Sequence, residues 1–170
     1  MASVRSSSEG ILSDEKASQR EELIELLKKA YWMEIETVMS YISNSINPDG
    51  VRAQEIVESL QEDIQEELGH AQQFANRIKE LYGVVPGSLE FTAEQTYLQP
   101  PEHQTDIVHV IKGVIEAESG AIEHYNAIVE YTEGKDPVTN DMVIDILRDE
   151  EGHRRLFEGF LREYKSEGLA

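Results

Sequence analysis

Glu66-Glu67-Leu68-Gly69-His70 and Asp149-Glu150-Glu151-Gly152-His153 are two copies of one short pattern: an acid, a Glu, two spacers ending in Gly, then a His. On a helix, a Glu and a His three residues apart point the same way. A carboxylate and an imidazole on one helical face can hold the same metal ion. Two such faces, each joined by a Glu from a further helix, build a pocket for two metal ions between four helices.

The flanking sequence supplies the four helices. Ser18 and Glu21 form a capping-box pattern. After them Leu23, Leu27, Ala30, Glu34, Val38, Tyr41 and Ile42 recur at helical spacing, up to the turn Asn47-Pro48-Asp49-Gly50. A second stripe carries Ile56, Leu60, Ile64, Glu67, His70, Ala71, Phe74, Ile78 and Leu81. Gly83 to about Gln104 holds three of the five prolines and no helical period, so it reads as a long connection. A third stripe runs through Ile111, Ile115, Glu118, Ile122, Tyr125 and Val129, and Gly134-Lys135-Asp136-Pro137 breaks it. A fourth carries Ile146, Glu150, His153, Phe157, Phe160 and Leu161. Four helices joined short–long–short predict an all-α antiparallel four-helix bundle with one crossover between the second and third helices. The lengths agree. A helix of about 30 residues spans roughly 45 Å, and about 22 extended residues reach roughly 70 Å. Residues 1–17, polar and Ser-rich, read as a loose tail; residues 18–166 form the bundle and 167–170 a C-terminal tail.

Each apolar stripe contains a Glu. Burying a carboxylate without a partner is costly, and four buried together repel one another unless a cation lies between them. Period selects Glu34 and Glu118. The alternatives, Glu36 beside Lys29, Trp32 and Ser40 and Glu116 beside Lys112, Gly113 and Glu123, lie on faces that read as mostly polar. Turn position selects the same residues. Glu34 and Glu67 are centred between Gly50 and Val51, and Glu118 and Glu150 on Gly134, so each hairpin brings its two glutamates level. Tyr41 follows Glu34 by seven residues and Tyr125 follows Glu118 by seven, as in two related hairpins around a pseudo-twofold axis. The predicted ligand set, for both metal binding and catalysis, is Glu34, Glu67, His70, Glu118, Glu150 and His153. Glu66 and Asp149 are expected to accept the outer ring N–H of the His in the opposite copy. Tyr41 and Tyr125 read equally well as packing or redox residues. The repeated Gly69 and Gly152 suggest close helix approach, and His103, His109 and His124 read as surface residues.

At these residues the chain resembles the ferritin-like superfamily, in particular bacterioferritin and the Dps-like (thioferritin) branch. Asp141 through His153 is similar to the last ligand helix of bacterioferritin. Glu118-x-x-Ala121-Ile122-x-x-Tyr125, followed by Gly134-Lys135-Asp136, is closer to the Dps-like branch. The resemblance implies a ferroxidase and iron-storage protein that oxidises Fe(II) with O2 or H2O2 at two Fe ions per subunit, with Mn or Zn as substitutes. It implies storage of Fe(III) in a hollow homo-oligomer, a 12-mer rather than a 24-mer or dimer, since no segment for a fifth helix follows Tyr164. Bacterioferritin's haem-ligating Met position is Leu68 here, so no haem is expected. A Cys of the thioferritin pair is replaced by Gly120, and the chain has no Cys. Other readings of the same ligands are a di-metal peroxidase, a manganese catalase, or a DNA-protecting Dps-type protein.

Composition bounds these alternatives. With 170 residues the chain suits one domain. Without Cys, only His and carboxylates remain as strong metal ligands. The 34 acidic against 15 basic residues give a net charge of −19, which argues against a nucleic-acid surface. The absence of an apolar run at the N-terminus, or of one long enough to span a membrane, leads to the expectation of a cytoplasmic protein with no membrane partner.

Overall fold

The turn Asn47–Gly50 ends one long helix and begins the return of the next, and the rest of the architecture repeats that device. The computed structural model describes residues 7–170. Its long helices are α1 (Ala17–Ile46), α2 (Gln54–Glu80), α3 (Ile107–Thr132) and α4 (Pro137–Ser166), with no strand among the described residues. α1 packs along α2 and α3 along α4; α1 then lies against α3, and α2 approaches α4 less closely. Both hairpin turns use a left-handed glycine, Gly50 (φ 104°) and Gly134 (φ 66°), a conformation that costs glycine nothing. At the second turn Asp136 caps α4 through the N–H groups of Val138 and Thr139, with Pro137 opening the helix. The buried Arg77 of α2 donates to both Asp136 oxygens (2.9 Å each) and to Thr139 (2.7 Å), tying that turn to the opposite hairpin.

The core is two apolar clusters with a polar layer between them. One contains Leu23, Leu27, Phe74, Ile78, Tyr125, Ile128, Val143 and Ile146. The other contains Tyr41, Ile56, Leu60, Leu98, Ile111, Val114 and Phe157. The six predicted ligands lie between these clusters, which hold one of the two related tyrosines each.

Several expectations need correction. Residues Ser7–Leu12 and Asp14–Lys16 form two 3-10 turns rather than a loose tail, and Ile11 is buried in the first cluster; residues 1–6 lie outside the described region. These turns run straight into α1. The N–H groups of Lys16 and Ala17 bond back to Ser13 and Asp14, so Ser18 is not a cap and the capping box is unused. On the second half of α1, Val38 is half-buried and Ile42 exposed, while Thr37, Ser40, Tyr41 and Asn44 are buried. The crossover explains this. It lies on α1 and bonds to Thr37 through Gln95 (2.8 Å) and to Asn44 through the Leu98 carbonyl (2.8 Å). Glu36, expected on a polar face, is buried for the same reason; its carboxylate accepts the N–H groups of Glu94 (2.8 and 3.0 Å) and Gln95 (2.8 Å). Gly69 and Gly152 are not sites of close approach, because a Cβ at either meets nothing within 4 Å. Gly113 is: a Cβ there would lie 2.7 Å from the Tyr97 carbonyl oxygen.

Candidate metal centre

Each helix contributes to the polar layer through one turn of its buried face. α1 presents Glu34, α2 presents Glu67 and His70, α3 presents Glu118, and α4 presents Glu150 and His153. All four glutamates are at most 2 % exposed. Their atoms form two overlapping groups, each able to surround one ion. Glu34, Glu67, His70 and Glu150 form one; Glu67, Glu118, Glu150 and His153 form the other. Glu67 and Glu150 belong to both.

The imidazoles face inward through Nδ1. His70 Nδ1 lies 3.0 Å from Glu150, 3.5 Å from Glu67 and 4.0 Å from Glu34. His153 Nδ1 lies 3.3 Å from Glu67, 3.8 Å from Glu150 and 3.9 Å from Glu118. Their outer nitrogens make the crossed contacts expected from the repeat. His70 Nε2 faces Asp149 at 3.3 Å and His153 Nε2 faces Glu66 at 3.2 Å. With Nε2–H donated to these carboxylates, Nδ1 is the atom that would face an ion once its own proton has left. The tyrosines also cross: Tyr41 donates to Glu118 and Tyr125 to Glu34. His103 and His109 are exposed, and His124 is half-buried with its ring on the Leu26 carbonyl; none joins the pocket.

Buried polar groups are almost always hydrogen-bonded. Here both oxygens of Glu67, one oxygen of Glu150 and Nδ1 of both histidines are buried without a hydrogen-bond partner. All five unpartnered atoms point into one pocket of oxygen and imidazole donors, the set that suits Fe, Mn or Zn. The residues therefore fit two divalent ions. Without cations the charges rearrange around protons. Burial, then Glu67 and Glu150, push the Glu34 carboxyl well up; burial, then Glu150, do the same to Glu118. Burial opposes charge on His70 and His153, yet the close carboxylates of Glu150 and Glu67 outweigh it and raise them to about 10 and about 12. Burial also opposes charge on Glu67 and Glu150, but the neighbouring glutamate carboxyl and both imidazoles keep them low. Both tyrosines are pushed up, by burial and then by the adjacent carboxylate, and remain donors.

The sequence reading missed one residue at the rim. Asp63, one turn before Glu67, is buried with Oδ1 3.7 Å from His153 Nε2. Its signal was its spacing from Glu67; the stripe that selected Ile64 concealed it.

A four-helix bundle with two imidazoles and four carboxylates around one buried pocket defines a class of two-metal carboxylate proteins. The chain belongs to the ferritin-like family, whose domain model matches residues 24–166. It is 34 % identical over 146 residues to the "DNA protection during starvation protein" of Pyrococcus furiosus, covering 83 % of this chain and 77 % of that one. A dodecameric thioferritin, a bacterioferritin-related protein of Bacteroides fragilis, superposes with a TM-score of 0.76 at 25 % identity, covering 88 % of this chain and 89 % of that one. The bacterioferritin of Desulfovibrio desulfuricans shares the fold at a TM-score of 0.75 and 22 % identity, covering 88 % and 84 %.

Proposed function

We propose that this protein is a ferroxidase that stores the iron it oxidises, with Glu34, Glu67, His70, Glu118, Glu150 and His153 binding two Fe(II) ions as substrate. The five unpartnered buried atoms converging in the pocket carry this reading. Two Fe(II) give up one electron each; with two protons, O2 becomes H2O2, or H2O2 becomes two waters, and two Fe(III) result. The hard carboxylate oxygens favour the Fe(III) product, while the imidazoles hold Fe(II). Tyr41 and Tyr125 orient Glu118 and Glu34, and Asp149 and Glu66 hold the histidines in the coordinating tautomer. Leu68, where bacterioferritins carry a haem-ligating Met, favours a centre without haem.

Storage requires a hollow assembly. Met39, Ile42 and Ile46 leave an apolar strip exposed along α1, which supports burial against another copy. The dodecameric relative makes a 12-mer the favoured size. No helix among the described residues is long and apolar enough to cross a membrane, consistent with the cytoplasmic location we favour. Anaerobic Fe(II) titration followed by oxygen tests the reading, together with native mass measurement on the same sample. Anaerobic Fe(II) binding should saturate at about two Fe per chain, and oxidation on adding oxygen should be lost in Glu67→Ala. A monomer or dimer would point instead to a non-storage redox enzyme.

The name of the Pyrococcus relative favours a second reading, protection of DNA. The net charge of −19 opposes it, because DNA binding depends on neutralising phosphates with Lys and Arg. A gel shift at low salt, where such binding is strongest, decides the matter.

A further inference from the structure

The two halves of the pocket match at every ligand but differ one turn away. Glu67, His70 and Glu66 on α2 correspond to Glu150, His153 and Asp149 on α4. The same correspondence pairs Asp63 with Ile146. Ile146 is buried in the apolar cluster. Asp63 is 7 % exposed and lies 3.7 Å from the outer nitrogen of His153. Its second oxygen is buried with no hydrogen-bond partner. Around it lie His153, Glu67, Glu66 and Glu62, so His153 is the one group among them that can offset its charge. Glu66 does not distinguish the halves, because it sits within 4.8 Å of donor atoms of both histidines. Each outer nitrogen then has a second acid, Asp149 at His70 and Asp63 at His153, and burial makes them unequal: the Asp149 side chain is 42 % exposed and that of Asp63 10 %.

A buried carboxylate with an unpartnered oxygen and three acidic neighbours costs stability. Its effect falls on His153. Glu66 takes the outer N–H of that ring, and Asp63, 3.7 Å away, acts beside it through its charge, which strengthens the opposite nitrogen as a donor. A buried negative charge also favours a cation nearby. We propose that Asp63 is a positioning residue that makes the Glu118–His153 subsite bind its divalent ion ahead of the Glu34–His70 subsite. This rests on the two-metal reading of the pocket. It implies ordered loading, with one ion held while the second arrives at the weaker subsite.

Co(II), which reports its coordination through visible d–d absorption, provides the test. In the full-length chain Co(II) should fill the pocket in two resolved steps. Asp63→Asn, nearly isosteric, should merge them by weakening the first about tenfold, the lower end of the range for loss of such a contact. Asp63→Glu should restore the separation. Assigning the first step uses two paired deletions. With Glu34→Ala and His70→Ala the remaining subsite should bind tightly and respond to Asp63→Asn. With Glu118→Ala and His153→Ala the remaining subsite should bind weakly and not respond. Unchanged steps in Asp63→Asn, or equal weakening of both subsites, overturn the proposal and leave the metal centre standing. Failure of the native chain to bind Co(II) overturns the metal centre, and this inference with it.

Discussion

At the residue scale, the pocket favours protons where the proposed ions would sit. Burial and the neighbouring carboxylates raise Glu34 and Glu118, while Glu150 and Glu67 raise His70 to about 10 and His153 to about 12. The protons held on the two imidazoles, and those favoured on Glu34 and Glu118, must leave when a divalent ion enters. Lower pH fills the competing protonated forms, so apparent metal affinity rises with pH. Zn(II) binding near pH 7 should release roughly two to four protons per chain. Calorimetry in buffers of different ionisation enthalpy measures that number; zero would mean neutral imidazoles in the metal-free protein. The six pocket residues were readable because each constraint was local: a three-residue spacing, a stripe period and a distance from a turn. Asp63 and Glu36 were not. Asp63 competed with Ile64 for the same buried turn, and hydrophobicity selected the wrong one. Glu36 is buried by backbone N–H groups nearly 60 residues away, which no local period reveals.

At the element scale, helix existence and pairing followed from turn chemistry, while the buried faces drifted. The third stripe was read through Ile115, Ile122 and Val129, yet Val114, Ala121 and Ile128 are the buried positions. On α1 the face is polar from Thr37 onward because the crossover needs hydrogen-bond partners there. Two glycines of similar appearance should respond oppositely to a methyl group. At Gly152 a Cβ meets nothing, so Gly152→Ala should stabilise the protein by up to about 1 kcal/mol through helix propensity. At Gly113 the methyl would press on the backbone of the crossover, so Gly113→Ala should destabilise by about 1–3 kcal/mol. Urea unfolding of the pair measures both signs. The Arg77–Asp136 pair offers a third measurement. Arg77→Leu would leave a buried carboxylate with its strongest partner removed, at a cost of about 3–5 kcal/mol.

At the scale of the whole molecule, a charged layer divides the core into two apolar blocks. The fold thus carries four buried carboxylates and two buried imidazoles through the middle of a bundle that packs tightly on either side. Protons compensate only part of that cost, because five donor and acceptor atoms remain without partners. Ions that bind the folded pocket and not the unfolded chain must therefore stabilise the fold by mass action. At free metal about 1,000 times the Kd, the gain is about 4 kcal/mol. For a chain of this size, 1 kcal/mol shifts Tm by about 2–4 °C, so Zn(II) loading should raise Tm by roughly 8–16 °C over the chelator-treated protein. Both samples must be compared at one protein concentration and one oligomeric state, since assembly also raises Tm. Glu67→Ala removes a carboxylate common to both groups of donors and should abolish most of the metal-dependent shift. It also removes one of the four mutually repelling acids, so its metal-free Tm should fall less than an ordinary core truncation would predict. A large shift retained in Glu67→Ala would mean that the stabilising ions bind elsewhere on this acidic surface, and would remove the pocket's claim to them.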